Sequence, residues 1–232
     1  MERKDIRVLV ACEESQRVCI AFRERGFTAY SCDIQDCSGA HPEWHIKDDV
    51  LKHLDDGWDL MIAHPPCTYL SAAGAVRMYP QKGIIDKERY RQCIKAREFF
   101  MRLLNADIKY NIKYIAVENP RPLRVAQLPI CTQKIQPYMF GYPYSKLTYI
   151  WTKNLPLLEA TEIVHKYIPW VSCGTSRNKG KPDKQGVSRS GGAQKVRSKT
   201  FPGIAAAMAE QWGEYVYKEM NKHDTRTRIQ GT

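Results

Sequence analysis

A five-residue apolar run at 6–10, Ile-Arg-Val-Leu-Val, is followed by the polar turn Cys12-Glu13-Glu14-Ser15. A helical pattern carried by Val18, Ile20, Ala21 and Phe22 comes next, then a stop at Gly26 and a second apolar run at 27–32 that ends in Asp33. Runs this short and β-branched suit strands, and the 3.6-residue spacing between them suits a helix. Strand, tight turn, helix, glycine, strand is the sequence form of a parallel βαβ unit. Such a unit commits the chain to an α/β class.

The alternation continues. A short strand at 45–47 precedes Asp48-Asp49, a short helix is expected at 50–54, and a buried strand at 60–63. Helical spacing returns over 87–104, and another strand is expected at 112–117. This order predicts a doubly wound, mostly parallel sheet, with ligands gathered at the carboxyl ends of its strands. Between Pro120 and Pro143 the chain becomes rich in proline and tyrosine, with a last strand-like piece at 147–151. Residues 177–199 hold eight Lys or Arg against one Asp and have no apolar periodicity. They read as a basic loop or insertion. A small-residue apolar helix is expected at 204–217. The division that follows is a core of residues 1–154 and 200–220, a small basic C-terminal insertion at 155–199, and a polar tail at 221–232.

The 232 residues, 43% of them hydrophobic, suffice for one sizeable core. No apolar run reaches the roughly 20 residues that span a bilayer, and the first residues lead into a strand rather than a signal peptide. The expectation is a soluble, cytoplasmic protein. Eight cysteines dispersed through apparent core elements read mostly as small buried thiols, not as a disulfide framework. The formal charge of +11 favours a polyanionic partner, nucleic acid above all, with simple solubility as the competing account.

Three groups at expected strand ends carry the chemistry. The first βα turn together with Asp33 has the layout of a nucleotide-binding half, with backbone amides at a helix start and an acid for ribose hydroxyls. It lacks the usual glycines, and Glu13 and Glu14 at a helix start would repel a pyrophosphate. A zwitterionic ligand with an amino group and no phosphate conflicts less; alternatively, the two acids serve only the helix dipole. Cys67, after Pro65-Pro66, is held at the sheet's edge, where a thiolate can be stabilised; the alternative is an inert core thiol. Glu118-Asn119 ends another strand of the same sheet, either as a proton-handling pair or as a loop brace. Cys32, Cys37, His41 and His45 have spacings that could suggest zinc. Cys32 sits inside a strand, however, and a thiol-rich loop with surface histidines accounts for them better. No metal site is expected.

In motif order these residues resemble the DNA cytosine C5-methyltransferase family, over most of residues 6–215. The segment Phe22-Arg23-Glu24-Arg25-Gly26-Phe27 is similar to the stretch after that family's first cofactor motif. Asp33 matches its ribose-binding acid, and Asp49 an acid near the adenine. Pro65-Pro66-Cys67 with Tyr69-Leu70-Ser71 resembles the nucleophile motif, Val117-Glu118-Asn119-Pro120 the Glu-Asn-Val motif, and Phe201-Pro202-Gly203-Ile204-Ala205-Ala206 the closing motif. The likeness is greatest to compact phage and prophage members. It implies the Rossmann-like fold of S-adenosylmethionine-dependent methyltransferases and cytosine C5 methylation of DNA through a covalent Cys67 adduct.

The resemblance further implies Cys67, Glu118 and Asn119 as catalytic, and Cys12, Glu13, Glu14, Ser15, Asp33, Ile34, Asp49 and Pro65 at the S-adenosylmethionine site. Ser71, Arg121, Lys146, Arg189, Lys195, Arg197 and Lys199 are expected at DNA. The chain departs from the family at Glu14-Ser15-Gln16, where glycines stand in the first motif, and at Pro120. It also lacks the Gln-x-Arg-x-Arg motif, whose cation Lys146, Arg121 or Arg124 would replace. The short region at 155–199 leaves open a methyltransferase for free nucleotide, single-stranded DNA or RNA, and the altered first motif leaves open a non-catalytic nucleic-acid-binding or host-interaction protein.

Overall fold

A computed structural model describes residues 1–170 and 197–230. Its main sheet has seven strands: β1 (Arg7–Ala11), β2 (Thr28–Asp33), β3 (His45–Lys47), β4 (Leu60–Ala63), β5 (Tyr114–Pro120), β6 (Gln133–Ile135) and β8 (Thr148–Lys153). They lie in the order β3-β2-β1-β4-β5-β8-β6. The first five are parallel to one another, and β8 runs antiparallel between β5 and β6. The order reverses between β1 and β4, so the loops leaving their carboxyl ends bound a crevice, the usual ligand position of an open α/β sheet. Two short strands, β7 (Tyr144–Ser145) and β9 (Ile168–Pro169), pair separately.

Why the central strands read as unbroken apolar runs is visible in the two cores. Val8 and Val10 of β1, Leu60 and Ile62 of β4, and Tyr114 and Ala116 of β5 enter one core. Leu9 and Ala11, Met61 and Ala63, and Ile115 and Val117 enter the other. Alternate residues of each strand face opposite sides, and both sides are covered by helices. One layer contains α1 (Arg17–Arg23), α5 (Pro202–Ala207), a π-helical turn (Met208–Trp212) and α6 (Gly213–Gln230). The other contains α3 (Lys87–Leu104), followed by α4 (Ala106–Tyr110); a short α2 (Ala75–Met78) precedes α3.

The structure differs from the expected elements in informative places. The helix expected at 50–54 is one 3-10 turn, Val50–Lys52, started by Asp49 accepting the Leu51 N–H at 3.0 Å. The strand β5 runs through Pro120, three residues past its expected end, because β8 pairs with it along that length; Glu118 and Asn119 therefore lie within a strand. The closing helix starts at Pro202, whose fixed φ suits a first helical turn. It continues beyond 217 to Gln230, into the stretch expected as a polar tail. Gly213 sits against the rings of Phe22 and Phe27, where a Cβ would come within 2.7 Å of Phe27. No helix among the described residues is long and apolar enough to cross a membrane.

Candidate active site at the carboxyl edge of the sheet

The loop between β1 and α1 turns without glycine. Cys12 and Gln16 take left-handed φ values of 59° and 57°, a conformation that costs a non-glycine residue roughly 1–2 kcal/mol. Bonds of the loop offset this. The Cys12 N–H donates to the Cys32 carbonyl at 2.7 Å. The Gln16 side chain is fully buried: its Nε2 donates to the His41 carbonyl (2.7 Å), and its Oε1 accepts from the His41 N–H (3.1 Å) and the Cys37 thiol (3.0 Å). Gly39 is needed at the crossing, since a Cβ there would collide with the Gln16 side chain.

Glu13 fills the position that an anionic ligand would otherwise take. Its two carboxylate oxygens accept the Val18 and Cys19 N–H groups of the first turn of α1, at 2.8 and 3.2 Å. Burial pushes its pKa up, opposed by the charge of His64 and by those two amides. With a carboxylate already on the helix dipole, a phosphate has no place there. Glu14 accepts a hydrogen bond from the Ser38 hydroxyl, and the Ser38 N–H donates to the Glu14 carbonyl at 2.8 Å.

Two adjoining clefts open at this edge. One, of about 520 Å³, is lined by Cys12, Glu13, Glu14, Ser15, His64 and Cys67, among others. The second, of about 460 Å³, is lined by Ile34, Asp49, Val50 and Phe99. Asp33 and Pro66 line both. Asp33 holds the Gln35 N–H at 2.8 Å, which fixes its carboxylate at the strand exit. Pro65, expected at the cofactor, is buried, and it is Pro66 that lines the clefts. Lys199 and Thr200 close the rim of the first cleft: Lys199 Nζ donates to Ser38 Oγ at 3.0 Å, and Arg17 holds the Thr200 carbonyl at 2.7 Å.

Cys67 begins the turn after β4, its carbonyl accepting the N–H groups of Leu70 (3.1 Å) and Ser71 (2.9 Å). Asn119, 1% exposed, ties this turn to β5 by donating from Nδ2 to the Pro65 carbonyl at 2.9 Å. Further on, the Leu123 N–H donates to the Leu70 carbonyl at 2.7 Å, and Ala72 N–H to the Arg121 carbonyl at 2.8 Å. Ser71 bridges to Pro122. The Cys67 turn and the Glu118 strand are thus laced together. Ser71 is buried and the Arg121 side chain exposed.

Sequence reasoning passed over His64. It follows β4, its N–H bonds the Ala11 carbonyl (2.9 Å), and its Nδ1 lies 3.1 Å from Glu118 Oε2. Burial lowers the imidazole pKa, but the hydrogen bond and charge of Glu118, with the charge of Glu13, outweigh it and leave the pKa raised. Burial raises the Glu118 pKa, yet the His64 bond and the charge of Lys146 leave it lowered overall. Burial and the Glu118 charge push the Cys67 thiol up, while Lys146 pulls it down. Lys146 also borders a small pocket with Glu118 and Thr148. The only sequence signal for His64 was its place directly before Pro65-Pro66-Cys67.

The remaining expectations divide. Arg189 and Lys195, proposed at DNA, lie outside the described residues; Arg197 opens the described C-terminal stretch, and Arg124 begins a 3-10 turn. Of the seven cysteines in the described residues, Cys19, Cys32 and Cys93 are buried, but Cys12, Cys37, Cys67 and Cys131 are half-buried. The quartet with zinc-like spacing is engaged elsewhere. Cys32 Sγ contacts the Asp48 carbonyl, Cys37 bonds Gln16, His41 bonds Glu43, and His45 bonds Ser31 and the Gln35 carbonyl.

The sheet order, the helical layers and the crevice define an α/β protein with a doubly wound, mostly parallel, Rossmann-like sheet. Among solved structures the chain is similar to a provisionally assigned DNA modification methyltransferase encoded within an E. coli prophage, at 13% identity and a TM-score of 0.42, over 68% of this chain and 52% of that one. It is also similar to a Spodoptera frugiperda DNMT2 mutant, at 17% identity and a TM-score of 0.34, over 71% and 57%. The chain spans little more than half the length of either. No family model matches the chain, and no curated protein matches it in sequence.

Proposed function

We propose that the protein is an S-adenosylmethionine-dependent methyltransferase acting at C5 of cytosine in DNA through a covalent Cys67 adduct. The observation that carries this reading is that Cys67 and His64 line one acid-lined cleft, with Glu118 directly behind His64 at 3.1 Å and its charge acting on the Cys67 thiol. A thiol and a carboxylate so placed suit attack on one face of a pyrimidine and contact with its polar edge.

The residues present fit the cofactor. Glu13 already occupies the helix amides, so the first cleft favours a cationic group over a phosphate. Asp33 and Asp49 suit ribose hydroxyls and an exocyclic amine, with Ile34, Val50, Pro66 and Phe99 as apolar walls. When bound, the cofactor supplies an electrophilic methyl group. Cys67 enters as thiolate and forms the Sγ–C6 bond, which makes C5 nucleophilic; after methylation, loss of the C5 proton and elimination of the thiolate restore the aromatic ring. Asn119 holds the Cys67 turn against β5, and Lys146 favours both the Cys67 thiolate and the Glu118 carboxylate. In duplex DNA the base must leave the stack, at a cost of a few kcal/mol offset by phosphate contacts. The charge of +11 supports such contacts, with Arg189, Lys195 and Arg197 as candidates.

Mass spectrometry of nucleosides from cells expressing the protein tests the reading beside a Cys67→Ser control. The expected product is 5-methylcytosine, present with the wild type and missing with the variant. A different methylated base, or equal yield from Cys67→Ser, removes the mechanism.

A further inference from the structure

Attack on C6 of cytosine displaces electrons toward N3. As Sγ–C6 forms, the C5=C6 pair shifts to C4=C5, and the C4=N3 pair moves onto N3, which must gain a proton. A bare Glu118 carboxylate cannot provide one. It can accept from the exocyclic N4–H, but its lone pairs oppose the lone pair of N3.

The missing proton has a holder in the structure. His64 Nδ1 stands 3.1 Å from Glu118 Oε2, the two side chains being only 11% and 16% exposed. The backbone of His64 is held to β1 by its main-chain N–H bond to the Ala11 carbonyl. Its other nitrogen, Nε2, is buried and has no partner among the described residues, while His64 itself lines the cleft shared with Glu13 and Cys67. The charged groups acting on this imidazole come from three elements: Glu118 on β5, Glu13 on the β1–α1 loop, and Lys146 before β8. Across the cleft lie Cys67, Glu14, Asp33 and Lys199. Two carboxylates against one lysine favour imidazolium.

We infer that His64 is the proton reservoir of the site: its Nδ1–H passes to Glu118, and Glu118 protonates N3 as the Cys67 adduct forms. His64 becomes neutral in that step. When the thiolate leaves and aromaticity returns, N3 gives the proton back through Glu118 to Nδ1, so the relay balances over a turnover. The thiol's own proton is lost separately to solvent through the open cleft. Because His64 acts through Glu118, it is a positioning and proton-supplying residue and does not touch the base. The inference rests on the cytosine reading above.

The experiment uses the full chain, duplex DNA containing 5-fluorocytosine, and S-adenosylmethionine. The rate of covalent trapping is followed against pH for wild type and His64→Asn, which keeps an N–H donor for Glu118 but cannot titrate. The wild-type rate, corrected for Cys67 ionisation, should fall as pH rises through the His64 midpoint. His64→Asn should trap about 10²-fold more slowly or worse, the usual scale of a lost general acid, and should lose that decline with cofactor and DNA both saturating. Trapping by His64→Asn at the wild-type rate, or with the decline intact, overturns the relay.

A second arm needs no change at position 64. In ¹⁵N NMR of the protein alone, Glu118→Gln should lower the His64 midpoint, and an unchanged midpoint overturns the pairing on which the relay depends. Wild type that never traps at any pH refutes cytosine attack itself, and the relay falls with it. Trapping by wild type with an indifferent His64→Asn refutes the relay alone.

Discussion

Asn119→Asp exchanges one NH2 for one oxygen, yet the structure gives it a large, pH-dependent cost. Asn119 Nδ2 donates to the Pro65 carbonyl at 2.9 Å from a side chain 1% exposed. An ionised carboxyl would face that carbonyl acceptor to acceptor, leaving a buried unpaired charge worth about 3–5 kcal/mol. The alternative is to keep the proton and donate it to Pro65. Near pH 7 this costs about 4 kcal/mol, the work of holding a group of pKa ~3.9 protonated some three units above it at ~1.4 kcal/mol per unit. Both routes agree in size. Near pH 4.5 the same work is about 1 kcal/mol.

The sign follows from the raised folded pKa. Stability contributed by the introduced group is complete below its unfolded value and is lost as pH rises through the folded one. At roughly 2–4 °C per kcal/mol for a chain of this size, the variant should melt about 8–16 °C below wild type near pH 7 and about 2–4 °C below it near pH 4.5. Circular dichroism melts of both proteins at the two pH values provide the comparison. An equal depression at both, or none near pH 7, would refute the claim that Asn119 acts as a buried donor bracing the Cys67 turn.

Three further outcomes are expected. The Glu13 carboxyl has a raised folded pKa, so its contribution to stability is present below the unfolded value and lost as pH rises through the folded one; Glu13→Gln should flatten the pH dependence of Tm on that acid-to-neutral side, and an unaltered slope would place the titrating group elsewhere. Lys146→Met should raise the pH at which Cys67 becomes alkylatable, read peptide by peptide with a thiol reagent, because the lysine charge lowers the thiol pKa; no change would separate Lys146 from the site. Neutralising Lys195 and Arg197 together should weaken DNA binding and reduce the log–log salt slope by about 0.9 for each phosphate left without its cation, whereas an unchanged slope assigns the phosphates to other residues.

Much of the framework was legible because its signals are local. The strands at 45–47 and 60–63 and the helix at 87–104 have the expected bounds, since apolar period and turn residues act over a few positions. The C-terminal helix was legible in kind but not in length, its polar half lacking a periodic signal. The antiparallel place of β8 between β5 and β6 was not legible, and neither was the extension of β5 to Pro120, since strand pairing depends on partners far along the chain. The absence of glycine in the first loop looked like a defect. Its resolution lies in Gln16, whose side chain reaches residues 37 and 41, an interaction no local pattern encodes.

By itself the sequence determined an α/β chain and drew attention to a thiol, acids and a carboxamide in or beside its strands, because alternation and punctuation are properties of neighbouring residues. Only the tertiary structure decided what those groups face. It turned Glu13 into the cap of its own helix, made Asn119 a brace for the Cys67 turn, and set His64 against Glu118 across two adjacent parallel strands. Charge, burial and hydrogen bonding act through space, so the protonation of a site assembled from distant segments is decided when the sheet closes.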